Sequence, residues 1–321
     1  MPVLHCTDSF VSRHRSTAAS CRAMVLVACA ALALAACDGR SDAHDALPSA
    51  ESNASVIRDD YGRDIAIGAP PRRIVSLNPA TTELLFALGV GGRMVGRTQY
   101  DLWPDSARLV PNLGPGMRPN LEAVLGARPD LVVLYASADD RAAADRLTAA
   151  GVKTAAFKLD RIRDFARVTR ALGQLVGDTA RAHLVVDSVT GTLDRVRRAT
   201  ATLPRPTVFF HAWETPLITI GGGSFLSELV DVAGGRNVYA DIEAPSAAVT
   251  LEDVVRRDPD IVLVSPIEQQ RLRAAERWRS LRAVREQRVV AYDTNLVARP
   301  SVKLGEAAVS LAALLHPGAV R

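Results

Sequence analysis

Asn120-Leu-Glu-Ala-Val-Leu-Gly-Ala-Arg-Pro-Asp-Leu-Val-Val-Leu134 is answered by Thr250-Leu-Glu-Asp-Val-Val-Arg-Arg-Asp-Pro-Asp-Ile-Val-Leu-Val264. Leu-Glu at 121–122 returns at 251–252, and Pro-Asp at 129–130 returns at 259–260, both at an offset of 130. Asn120 and Thr250 are capping residues ahead of a short helix, Pro-Asp turns the chain, and the apolar run that follows reads as a buried strand. A common helix–strand unit explains either copy alone, but explains the shared Leu-Glu less easily. One copy in each half implies two lobes of related design.

The flanking sequence follows the same grammar. Ile74-Val-Ser-Leu77 is a short buried strand, and Asn78-Pro79 opens a helix that Gly89 closes. Strands are expected at 94–98, 131–135 and 153–157, with an Ala-rich helix at 139–150 between the last two. After residue 204 the pattern resumes with strands at 207–210, 217–220, 261–264 and 289–292, a helix at 224–233 and a last one at 303–315. Alternating strands and helices predict an α/β fold with central, mostly parallel sheets flanked by helices. Between the halves lie helices at 162–176 and 179–199. The second carries Leu184, Val185, Val189, Leu193 and Val196 on a helical stripe and has no proline, so a single long rigid helix is expected to join the lobes. The expected boundaries are an N-terminal lobe at 56–177, a linker helix at 178–200 and a C-terminal lobe at 201–321. A stiff helix between lobes predicts little closure on binding.

The 321 residues carry 48% hydrophobic side chains, which excludes a disordered chain. Lys and Arg number 39 against 35 Asp and Glu, without a concentrated basic stripe, so nucleic acid is not an expected partner. The four cysteines, Cys6, Cys21, Cys29 and Cys37, all lie in the opening stretch, which no structural disulfide framework would produce. Residues 24–36 form an apolar segment too short to span a bilayer, preceded by Arg13, Arg15 and Arg22, as in a secretory signal at 1–36. The segment 38–55 is polar and reads as a flexible tether.

Two resemblances sharpen these readings. Leu34-Ala35-Ala36-Cys37 resembles a bacterial lipobox, which implies cleavage before Cys37 and its lipidation. Asp38 beside it implies retention at the inner membrane, on the periplasmic side. Residues 72–317 resemble the periplasmic binding proteins for vitamin B12, ferric siderophores and haem. The resemblance is carried by Arg73-Ile-Val-Ser-Leu-Asn-Pro-Ala-Thr-Thr-Glu-Leu-Leu-Phe-Ala-Leu-Gly89, Asn120-Leu-Glu122, Arg128-Pro-Asp-Leu-Val132, residues 221–237 and Arg299-Pro-Ser301. It implies a ligand held between two lobes and delivered to an inner-membrane ABC permease dimer. It also implies that Glu122 and Glu252, one per lobe, pair with arginines on that two-fold partner. Without the resemblance, each glutamate is simply an acid favoured by a helix N-terminus.

Candidate ligand contacts lie on loops after strand ends. They are Tyr100, Met117, Arg118 and Tyr135 in the first lobe, and His211, Trp213, Asn295 and Arg299 in the second. The resemblance implies that Tyr100 and Tyr135 match positions where B12 binders place aromatic contacts, and that Asn295 lies in a matched contact loop. Trp103 is expected to pack beneath its own loop, and Phe209-Phe210 in the sheet core. His211 could meet a metal centre or a corrin amide, or be structural, and Arg299 could brace its own loop. Gly221-Gly-Gly-Ser224 either cradles an anion or makes a tight strand-to-helix turn. A haem carrier of this type would be expected to place a tyrosine where this chain has Gly114-Pro-Gly-Met117, and two arginines with several aromatics suit a neutral or weakly anionic ligand better than a trianionic chelate. A corrinoid is therefore the expected ligand, with a ferric siderophore or haem as the alternative. No resident cofactor, metal site or catalytic residue is expected. No Gly-x-Ser-x-Gly elbow, HExxH pair or cysteine site occurs, which leaves an extracytoplasmic hydrolase as a remote alternative.

Overall fold

The computed structural model describes residues 55–318. The expected signal segment, most of the tether and Cys37 lie outside them. The described chain opens with a hairpin of β1 (Val56–Arg58) and β2 (Asp64–Ala66), pinned by Asp59, whose carboxylate accepts from the backbone N–H of Tyr61, Arg63 and Ala156. Next come β3 (Ile74–Ser76), α1 (Pro79–Ala87), β4 (Met94–Gly96), α2 (Leu121–Gly126), β5 (Leu131–Tyr135), α3 (Arg141–Ala149), β6 (Lys153–Phe157) and α4 (Ile162–Val176). Strand order is β4-β3-β5-β6, and every pair is parallel. After α5 (Thr179–Thr200) the second half holds β7 (Thr207–Glu214), β8 (Leu217–Ile220), α6 (Phe225–Val232), β9 (Arg236–Asn237), β10 (Ser246–Ala248), α7 (Leu251–Arg257), β11 (Ile261–Val264), α8 (Pro266–Ala274), α9 (Arg282–Arg285), β12 (Val289–Ala291) and α10 (Leu304–Leu315). Its sheet runs β10-β8-β7-β11-β12, with β9 also on β7. The β7–β11–β12 part is parallel, while β8 and β10 add an antiparallel edge.

Strand alternation explains how three apolar clusters form from two sheets. Leu131 and Val133 of β5, Val208 and Phe210 of β7, and Ile261 and Leu263 of β11 face one continuous core. Val132 and Leu134 face a second cluster on the outer side of the first sheet, while Phe209, Val262 and Val264 face a third with Trp278. The shared core runs from one lobe to the other through Val186, Val189, Leu193 and Val196 of α5, with Phe165 and Leu172 of α4 on one side and Leu311 of α10 on the other. The linker helix is thus a wall of the common core, which opposes relative motion of the lobes. At about 1.5 Å per residue it extends for about 33 Å.

The buried stripe of α5 is Ala182, Val186, Val189, Leu193, Val196 and Thr200. Leu184, expected on that stripe, is 70% exposed. The reason is the tight meeting of α4 and α5: a Cβ on Gly173 would lie 2.4 Å from the Ala182 Cβ, so Ala182 takes the inward position. The repeat is also visible in the backbone. Arg128 and Asp258, 130 residues apart, both adopt left-handed φ, +48° and +42°. Asp130 accepts from the N–H of Arg72 and Arg73 at 2.7 and 2.9 Å, and Asp260 accepts from the Thr207 N–H at 2.8 Å. Each Pro-Asp therefore ties its own strand to the start of the neighbouring parallel strand, a structural reason for repeating it.

Candidate ligand cleft and docking faces

Parallel strands send their C-terminal ends, and the loops that follow, to one edge of the sheet. In the second lobe the ends of β7, β11 and β12 and the start of α8 enclose a cavity of about 740 Å³. Its rim is apolar: Trp213 is 63% exposed and Ile267 71% exposed. The Trp213 indole N–H donates to the Thr215 carbonyl at 3.0 Å, which fixes the ring's direction. Two arginines line the cavity, and each is matched by a glutamate. Arg271 Nη1 lies 3.0 Å from Glu268 Oε1, and Arg277 pairs with Glu214. The wall is therefore charged yet balanced, with neither arginine left free to neutralise an anion.

Of the expected contacts, only Trp213 lines this cavity. His211 lies beneath it and is 2% exposed, with Nε2 held 2.5 Å from Glu214 Oε2 and its ring edge-on to Phe209 and Trp278. Burial lowers its pKa. His211 is part of the floor, covered by its own neighbours, which is the structural alternative for this residue. Asn295 is exposed on the loop after β12, with its N–H on Asp293 Oδ1 at 2.8 Å. Arg299 has a bracing role, but not within its own loop. Its Nη1 donates to Glu83 Oε1 of the first lobe at 2.6 Å, so it braces the lobes instead of standing free for a ligand.

The first-lobe candidates occupy the equivalent strand ends. Tyr100 is 57% exposed on a loop that the buried carboxylate of Asp101 holds by accepting from the Thr98 N–H and hydroxyl at 3.0 and 2.7 Å. Trp103 is 36% exposed, and Lys303 Nζ sits 4.4 Å from its ring centroid, so it packs across to the second lobe and not beneath its own loop. Met117 is 61% exposed. Arg118 points outward to Asp139 at 3.1 Å, while its N–H donates to Asp140 Oδ1 at 2.8 Å. Tyr135 is half-buried and donates its hydroxyl to Asp160 Oδ1 at 2.8 Å; burial and that carboxylate raise its pKa, so it remains a donor at neutral pH. Residues 221–224 make the tight turn. A Cβ on Gly221 would lie 2.1 Å from the Ala244 carbonyl oxygen and one on Gly223 2.1 Å from that of Glu243. The N–H groups of Gly221, Gly222 and Ser224 donate to the carbonyls of Pro245, Ile242 and Gly221, so three of the four are already engaged within the turn.

Glu122 and Glu252 are both exposed and both second in their helices, α2 and α7. The N-caps are equivalent too: the Asn120 side chain accepts from the Ala123 N–H at 3.1 Å and Thr250 from the Asp253 N–H at 3.2 Å. Sequence reasoning passed over Ile267, Glu268, Arg277 and Glu83. The available signal was Pro266 directly after a buried strand, which starts a helix at a sheet edge where ligands gather.

The arrangement has counterparts. An uncharacterised ABC transporter substrate-binding lipoprotein, YvrC of Bacillus subtilis, is 29% identical over 303 residues, covering 90% of this chain and 94% of the relative. A vitamin B12-binding protein of Yersinia pestis is 28% identical over 198 residues, 62% of this chain and 71% of its own. The fold is that of the periplasmic haem-binding protein RhuT of Roseiflexus, with a TM-score of 0.69 at 24% identity, covering 78% of this chain and all of RhuT. Both sequence relatives are named as binding proteins, and neither lends weight to the hydrolase alternative. The family model described as periplasmic binding protein matches residues 74–296, most of the chain and both lobes, and the chain therefore belongs to that family.

Proposed function

We propose that this chain is the extracytoplasmic solute-binding component of an ABC importer, that it carries a corrinoid at its strand-end loops, and that Glu122 and Glu252 seat it on a two-fold permease dimer. The observation that carries the reading is the equivalence of the two glutamates. Each is exposed at the same position of a matching capped helix, and among the described residues neither forms an ion pair. A two-fold partner needs equivalent handles on both lobes, and exposed charges of this kind guide docking more than they add affinity. The ligand class is supported by the apolar rim of Trp213 and Ile267 and by the paired arginines, which suit a large ligand without net negative charge. A lipid on Cys37 would hold the protein beside its permease in the periplasm; the lipobox-like sequence and a relative named as a lipoprotein support that anchor.

Isothermal titration of the full chain with cyanocobalamin, a ferric hydroxamate and haemin tests the ligand. The expected result is saturable binding of cyanocobalamin, one per chain. Tighter binding of either iron ligand moves the assignment to that class, and indifference to all three refutes the carrier reading.

A further inference from the structure

Glu83 sits inside α1, 3% exposed, and both its carboxylate oxygens are taken by the second lobe. Oε1 accepts from Arg299 Nη1 at 2.6 Å, and Oε2 accepts from the Ser301 hydroxyl. One residue earlier, the Thr82 hydroxyl donates to Asp101 Oδ2 at 2.7 Å, and Asp101 in turn holds Thr98. Asp101 lies between Tyr100 and Trp103, and Lys303, two residues beyond Ser301, covers the Trp103 ring. Arg299 and Ser301 close the segment that begins at Asp293 and contains Asn295. Two sets of short polar contacts, joined through the adjacent residues Thr82 and Glu83 of α1, thus link residues 98–103 of the first lobe to Arg299 and Ser301, which end the 293–301 segment of the second. A buried carboxylate is tolerated only when donors match it, and here burial raises the Glu83 pKa while Ser301 and Arg299 pull it back.

We propose that Glu83 is a positioning residue that sets the spacing between the Tyr100–Trp103 loop and the Asn295 loop, and so the size of ligand admitted between them. The ligand part rests on the corrinoid reading above; the spacing does not. A second inter-lobe pair gives the control. Arg161 Nε donates to Glu228 Oε1 at 2.6 Å, and the Ile162 N–H to Glu228 Oε2 at 2.7 Å, with both side chains about a quarter exposed.

Hydrogen exchange of the full chain, compared for wild type, Glu83→Gln and Glu228→Gln, tests it. Glu83→Gln is expected to raise exchange at least tenfold in both residues 98–103 and residues 293–301, with Glu228→Gln changing neither. Cyanocobalamin should dissociate about tenfold faster from Glu83→Gln, and Glu83→Gln/Arg299→Gln should be no worse than either single variant, because both act on one contact. Unchanged exchange in either segment, equal loosening by Glu228→Gln, or additive effects on dissociation would overturn the assignment. If wild type does not bind cyanocobalamin, the ligand reading fails and the exchange result alone judges Glu83. Should Glu83→Gln not fold, Arg299→Gln, whose side chain leaves a partly exposed site, is read by the same criteria.

Discussion

Trp213→Ala removes the most exposed aromatic surface at the mouth of the second-lobe cavity. A tryptophan side chain presents about 250 Å², so its 63% exposure leaves about 150 Å² open to a ligand. A flat ring system stacked on one face covers roughly half of that, and at about 25 cal/mol per Å² the loss is about 2 kcal/mol. That corresponds to a Kd about thirtyfold weaker. The ring is held by its N–H on the Thr215 carbonyl, so little ordering cost should blunt the effect. Trp213→Phe keeps a stacking face and loses the hydrogen bond, and should weaken binding only about threefold by the same reckoning. Titration of both variants with cyanocobalamin, at matched folded concentration, reads these numbers. A Trp213→Ala protein within twofold of wild type would show that the cavity rim does not touch the ligand.

Two further outcomes follow from the repeat. Glu122→Lys together with Glu252→Lys should abolish cyanocobalamin uptake by cells that depend on this protein while leaving its Kd unchanged; retained uptake removes the docking role. Asp260→Asn should destabilise the fold: burial works to raise this carboxyl, but Arg282 and the Thr207 N–H and hydroxyl outweigh it and hold the pKa at about 2. Because the folded pKa is depressed, the stabilisation is complete above the unfolded value near 4 and is lost as pH falls toward 2. Its full size is about 2.4 kcal/mol, discounted to about 1 kcal/mol for a side chain one-third exposed. Urea midpoints of wild type and Asp260→Asn should therefore differ at pH 7 and differ about half as much at pH 3.

Most of the architecture was legible because the chain's apolar runs are short, continuous and punctuated. β5 and β11 are buried on both faces and read as unbroken apolar stretches, and Asn78-Pro79 and Gly89 bound α1 as expected. The hairpin β1–β2 was not legible, since three-residue strands with one inward side chain each leave almost no period to detect. Nor was the antiparallel edge of the second sheet, because strand direction follows from the connection and not from the strand's own residues. The site was harder still. His211 follows the apolar run Val208–Phe210 and so reads as a strand-end residue, yet β7 runs on to Glu214 and keeps it inside. Glu83 was invisible as a functional group, since an acid on a helix ordinarily faces water. Only the approach of Arg299 and Ser301 from the other lobe shows why this one is buried.

On the proposed function, a solute is held at the facing strand-end loops of two lobes that share one rigid core. Hydrogen exchange of the full chain with and without saturating cyanocobalamin tests it most directly. Protection is expected at residues 100–103, 213–215 and 294–295, with exchange in the linker helix α5 unchanged. Protection confined to surfaces away from these loops, or none at saturation, would contradict it.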